Sequence, residues 1–121
     1  MKPLLLFLRV AYCALIGLII AVALAPAVNI GLAGGDKLNH FAAFFTLASL
    51  ARLLWQGAGV LLPLAGLVAL GGAIEVLQGV MQLGRQADWH DMAVNVVAIA
   101  TGLAVAQSVL GFYARLRGRT R

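Results

Sequence analysis

Apolar side chains fill this sequence in four long blocks, and the polar stretches between them are short. The first block runs from about Leu4 to Leu24 and stops before Pro26. The second runs from about Leu38 to Trp55 and is diluted by Thr46, Ser49 and Arg52. The third runs from about Val60 to Met81, with Pro63 in its first turn, and the fourth from about Asp91 to Tyr113. A helix needs about 20 mostly apolar residues to cross a hydrocarbon layer of about 30 Å, and each block is near that length. Lipid offers no partner to backbone amides and carbonyls, so a crossing block has to be helical. The pattern predicts an all-α membrane-spanning bundle of four helices over 4–24, 38–55, 60–81 and 91–113, forming a single domain over residues 1–121. The second span is the weakest of the four.

Loops around Gln56-Gly57-Ala58-Gly59 and from Leu83 to His90 are short enough to keep neighbouring helices antiparallel. Small residues recur at helical spacing as Ala65, Ala69 and Ala73 on the third span and as Ala98, Gly102 and Ala106 on the fourth. Both sets read as stripes where helices approach closely.

Composition agrees with lipid as the main solvent. Of the 121 residues 63% are hydrophobic and 11% charged, whereas an ordinary soluble domain carries about 25% charged residues. The formal charge is +5. A nucleic-acid binder would show that excess as a basic patch or groove-reading helix, but here most of it lies at the chain ends, which favours anionic lipid head groups and excludes nucleic acid. Cys13 is the single cysteine, so an intrachain disulfide and a cysteine-cluster metal site are both excluded.

Cytoplasmic loops accumulate Lys and Arg. With the N-terminus inside, Lys2, Arg9, Arg52, Arg115, Arg117, Arg119 and Arg121 fall on the cytoplasmic side, against Lys37 and Arg85 outside. Both termini are therefore expected in the cytoplasm, with Arg9 carrying its charge along its stem to the interface. The competing reading of the first span is a cleaved signal peptide ending near Ala23-Leu24-Ala25, although the apolar stretch exceeds the usual ~7–15 residues of a signal core. The other three spans keep their orientation in either case.

Ionisable groups are costly inside spans, and here they gather at one end. The second span opens with Asp36, Lys37, Asn39 and His40. The third carries Glu75, Gln78 and Gln82 toward its close, and the fourth opens with Arg85, Asp88, His90, Asp91 and Asn95. At about 1.5 Å per residue, His40 and Asn95 sit roughly one turn below the outer surface and Glu75 roughly two. The starts of the second and fourth helices, with Lys37 and Arg85, add positive potential that favours an anionic guest. Simpler roles stand beside these. Asp36 and Asp88 fit helix caps, Lys37 and Trp89 interfacial anchors, and His90 a solvated loop. Asn95 and Gln78 fit bridges between helices. Glu75 fits a structural ion pair with Arg85 or His40 as well as it fits a functional acid.

There is no phosphate-cradling loop, no His-Glu-x-x-His motif and no Gly-x-Ser-x-Gly turn. A mononuclear metal site from His40, Glu75 and Asp91 is conceivable, but ligand spacing across three helices is uninformative, so neither a metal nor a cofactor is expected. The same three residues are the candidates for acid–base catalysis.

The arrangement Asp36-Lys37-x-x-His40-x-x-x-Phe44, Glu75-x-x-Gln78 and Arg85-x-x-Asp88-x-x-Asp91-Met92-x-x-Asn95 resembles the VanZ-like family of bacterial membrane proteins over roughly residues 36 to 102. The chain departs from that family at Asp88, where a small hydroxyl residue is usual, and at Ala98, where glycine is usual. The resemblance implies a multi-pass protein of the bacterial inner (plasma) membrane. It also implies a polar set made of Asp36, Lys37, His40, Glu75, Gln78, Arg85, Asp91 and Asn95, and a link to low-level teicoplanin resistance.

The leading expectation is an outward-facing site for an anionic envelope lipid, a lipid-linked precursor or a glycopeptide. An enzyme acting on a lipid-linked substrate and a structural accessory subunit are the rivals. The sequence leaves the oligomeric state open.

Overall fold

In the computed structural model, residues 2–26, 35–82, 84 and 86–119 are described. They form α1 (Lys2–Leu24), α2 (Gly35–Leu54), a short 3-10 turn over Gln56–Ala58, α3 (Leu61–Met81) and α4 (Trp89–Arg119), with no strand among the described residues. Helices α1, α3 and α4 are long and apolar enough to cross a membrane. Their outward faces agree with that: Leu4, Leu6, Phe7, Leu61, Leu62, Val80 and Phe112 are all exposed, an apolar periphery that suits a membrane protein.

Two boundaries differ from the sequence expectation. Helix α2 begins at Gly35 rather than near Leu38, so Asp36 and Lys37 occupy its first turn. Helix α4 continues past Tyr113 to Arg119 because the residues that follow, Ala, Leu and Arg among them, are strong helix formers that do not need lipid around them. Its 31 residues extend about 46 Å, well beyond the ~30 Å of a hydrocarbon layer.

Helix α2 is the centre of the bundle. Its Phe44, Leu47, Ala48 and Ala51 pack with Leu67 and Ile74 of α3, with Ala98, Ile99 and Leu103 of α4, and with Tyr12 of α1. Its main partner is α4, and the two run parallel. His40 pairs with Asn95, Ser49 Oγ–H donates to the Gly102 carbonyl (3.2 Å), and Arg52 Nε–H donates to Gln107 Oε1 (2.8 Å), at sequence separations of 55, 53 and 55. Polar residues that lower the apolarity of α2 are thus spent on other helices rather than on lipid.

Close approach is centred on Gly102, where a Cβ would stand 2.6 Å from the Phe45 carbonyl oxygen and 3.0 Å from Ala48 Cβ. Ala98 and Ala106 are buried with it, as the small-residue stripe on the fourth span predicts. The stripe on the third span is a correction. Ala65, Ala69 and Ala73 are exposed, and α3 instead turns Leu67, Gly71, Ile74, Glu75 and Gln78 inward. A helix that is apolar all round offers no periodicity to reveal its packed face, and the buried polar residues Glu75 and Gln78 decide it.

The end of the bundle near Leu54 is held by arginines. Arg9 donates from Nε and Nη2 to the Leu54 carbonyl at 3.3 and 2.9 Å. Its guanidinium lies 5.2 Å from the Trp55 ring centroid, and Tyr12 meets the same ring edge-on. A free carbonyl at a helix C-terminus attracts a cation, which explains why Arg9 folds onto the end of α2. Arg52 donates from Nη1 to the Gln56 carbonyl at 3.0 Å and fixes the turn that leads into α3.

Candidate functional site

At the opposite end, three helices bring their polar residues together. His40 comes from the second turn of α2, Glu75 from the latter half of α3, and Asp91 and Asn95 from the first two turns of α4. All four are buried, Asn95 completely. The parallel register of α2 and α4 brings His40 level with Asn95, and the return of α3 carries Glu75 past both.

His40 lies between two carboxylates. Its Nδ1 is 3.1 Å from Asn95 Oδ1 and 4.0 Å from Glu75 Oε1, while its Nε2 is 4.0 Å from Asp91 Oδ2. Nδ1–H donates to Asn95 Oδ1 in the neutral tautomer that this contact favours, leaving the Nε2 lone pair toward Asp91. Glu75 Oε2 accepts the backbone N–H of Asp88 at 3.1 Å, which ties α3 to the start of α4. Glu75 Oε1 and Asn95 Nδ2 are buried with no hydrogen-bond partner among the described residues. Unpartnered buried acceptors and donors are unusual, because each forfeits about 1–3 kcal/mol of solvation.

Room for Asn95 comes from Gly71. A Cβ there would lie 3.2 Å from Asn95 Nδ2 and 3.4 Å from Phe44 Cζ. One donor atom each from His40, Glu75 and Asp91 lie within 4.8 Å of one another, a set able to hold a metal ion.

The rim is more ordinary. Asp88 Oδ1 accepts the backbone N–H of His90 at 2.9 Å and contacts His90 Nδ1 at 2.8 Å, so Asp88 caps α4. The His90 backbone N–H, then its ring, holds the Asp88 carboxyl below the usual range, with a smaller contribution from Lys37. Lys37 and Trp89 are exposed, as interfacial anchors would be.

Of the eight positions expected to form the site, the structure gathers His40, Glu75, Asp91 and Asn95 into one cluster. Gln78 is buried on the same face of α3, but its Nε2 donates to the Ala23 carbonyl at the end of α1 (2.8 Å), so it bridges helices. Lys37 stays at the rim. Arg85 lies outside the described residues, as does the side chain of Asp36. Two participants escape a sequence reading. The Asp88 backbone N–H carries no residue-type signal, while Gly71 stands one turn before Glu75 on the buried face and is visible only through that spacing. No family model, curated protein or solved structure matches this chain.

Proposed function

We propose that this chain is a four-span, VanZ-like protein of a bacterial plasma membrane with both termini cytoplasmic, whose polar cluster binds the head group of an envelope lipid or lipid-linked precursor from the outer side. The unpartnered acceptor Glu75 Oε1 and the unpartnered donor Asn95 Nδ2, on two buried residues that both meet His40, carry this reading. A hydroxyl-bearing head group supplies a donor and an acceptor at once, and burial makes both hydrogen bonds valuable. Lys37 and the starts of α2 and α4 supply positive potential at the same end for a phosphate. A role in teicoplanin-type glycopeptide resistance would follow from occupying such a precursor or the drug itself.

Helix α2 supplies the fourth span in this reading. Its 20 residues reach about 30 Å, and the burial of His40 and Arg52 removes the cost of placing them at membrane depth. Cysteine labelling from either side of the membrane tests the topology in a Cys13→Ser background, since Cys13 is exposed. Lys37→Cys should react from outside and Arg115→Cys from the cytoplasm.

Function is tested by mass spectrometry of lipids retained on the detergent-purified protein, measured with chelator present. The native chain should be enriched in one anionic or glycosylated lipid, and Asn95→Leu and Lys37→Ala should lose that enrichment while staying folded. Identical lipid profiles for all three would refute the binding reading.

A second reading rests on His40 lying 4.0 Å from a carboxylate at each ring nitrogen, a geometry suited to general acid–base hydrolysis or transfer on the same lipid-linked substrate. Full cellular function in a folded Glu75→Gln variant would eliminate it.

A further inference from the structure

The geometry points to a divalent metal site formed by His40, Glu75 and Asp91, for a borderline first-row ion of the Zn2+ class. It concerns the same cluster as the head-group reading and rests on that reading only for the cluster's being a binding site.

Three observations carry it. The first is distance. Three donor atoms that all lie within 4.8 Å of one another have a common point no more than about 2.8 Å from each, and bonds of about 2.0–2.2 Å to imidazole and carboxylate need each side chain to close by roughly 0.7 Å. Rotations about side-chain bonds supply that movement without shifting a helix.

The second is orientation. Glu75 is fixed through Oε2 by the Asp88 backbone N–H, and His40 through Nδ1 by Asn95. Each therefore keeps a second ligand atom free of hydrogen bonds among the described residues: Glu75 Oε1, 4.0 Å from His40 Nδ1, and His40 Nε2, 4.0 Å from Asp91 Oδ2. Glu75 Oε1 accepts no hydrogen bond from the described residues, and its side chain is 10% exposed. At metal centres a histidine is commonly held through one nitrogen by an amide or carboxylate while the other faces the ion. Asn95 Nδ2, buried and unpartnered on the residue that holds His40, remains as a donor for an oxygen carried by the ion.

The third is charge. Among the described residues, His40 is the only ion-pair partner of either Glu75 or Asp91. Among the described residues, a neutral imidazole leaves the two buried carboxylates without a countercharge, and a protonated one balances a single negative charge. A divalent ion balances both.

Ligand chemistry selects the ion. One imidazole and two carboxylates without a thiolate suit Zn2+ or Mn2+, whereas Mg2+ dehydrates reluctantly and makes little use of imidazole.

The test is isothermal titration of Zn2+ into the full chain in lipid-free detergent, with any purification tag removed and the protein first stripped with chelator. One ion should bind per chain, Mg2+ should not compete, and Glu75→Gln and Asp91→Asn should each weaken binding by about tenfold or more. The surface pair is the control: His90→Ala should bind as the native chain does. Because a charge-removing variant can disturb folding, the native chain is also melted with Zn2+ and with chelator, and Zn2+ should raise its midpoint. The proposal is overturned by equal binding in native and Glu75→Gln protein, by loss of binding in His90→Ala, or by a midpoint that ignores Zn2+. Zn2+ binding without lipid retention would sink the head-group reading and leave this site standing, and retention without Zn2+ binding would do the reverse.

Discussion

A single methyl group at position 102 should loosen the joint between α2 and α4. The Cβ of Gly102→Ala would meet the Phe45 carbonyl oxygen at 2.6 Å, Ala48 Cβ at 3.0 Å and Ser49 Oγ at 3.1 Å. Comfortable contact begins near 3.5 Å, so the helices must part by roughly 0.9 Å, and the first two obstacles cannot rotate away because they are backbone and Cβ atoms. Overpacking of this kind costs about 1–3 kcal/mol. Stretching the bond from Ser49 to the Gly102 carbonyl costs about 1 more. The better helix propensity of alanine returns about 1 kcal/mol, which leaves a net loss of about 1–3. Gly111, on the same helix, has nothing within 4 Å of the point where a Cβ would stand, so it receives the propensity gain alone and is the internal control. Thermal unfolding in detergent, followed by circular dichroism, should rank Gly111→Ala at or above the native chain and Gly102→Ala clearly below it. A Gly102→Ala protein as stable as Gly111→Ala would refute the packing argument.

Gly71→Ala crowds Asn95 Nδ2 at 3.2 Å without removing any polar group, so it should lower Zn2+ affinity severalfold with little change in metal-free melting, as titration and circular dichroism would show. Arg9→Lys cannot reproduce two donors on the Leu54 carbonyl together with stacking on Trp55, and a loss of about 1 kcal/mol with altered tryptophan fluorescence is expected. Asp88 has a depressed carboxyl pKa in the folded chain. Its contribution is therefore fully present above the unfolded value of about 3.9 and is lost as pH falls through the lower folded value. Asp88→Asn should flatten the acid limb of a melting-temperature profile below about pH 4 while changing the neutral region little, since asparagine also caps helices.

Much of this architecture is legible in the sequence because membrane solvent makes unusual residues expensive. The apolar runs place α1, α3 and α4 within a few residues, and counting turns inward from Asp36 and Asp91 sets His40, Asn95 and Glu75 at similar depth. Which of these side chains meet is not legible. Gln78 stands one turn from Glu75 on the same buried face, yet it reaches the Ala23 carbonyl, because the end of α1 leaves an acceptor there that no residue type announces. The alanines of α3 misdirect for a related reason. Small residues mark close approach only when a partner helix is present on that side, and the inward face of α3 is instead chosen by the groups that lipid would reject, Glu75 and Gln78. Arg9 follows the same logic, since the free carbonyl of Leu54 that it meets carries no residue-type signal.

The parallel alliance of α2 and α4 also sets an order of events during biosynthesis. When Met81 has left the ribosome, α2 is complete, but its polar side chains have no Asn95, Gly102 or Gln107 to meet. A nascent chain at that stage holds two segments that hydrocarbon accepts and a third, α2, that it resists. In the proposed four-span reading, settlement of α2 therefore waits for a helix made more than fifty residues later, and a protein truncated between Met81 and Trp89 should leave its central helix stranded at the bilayer surface or in the insertion machinery.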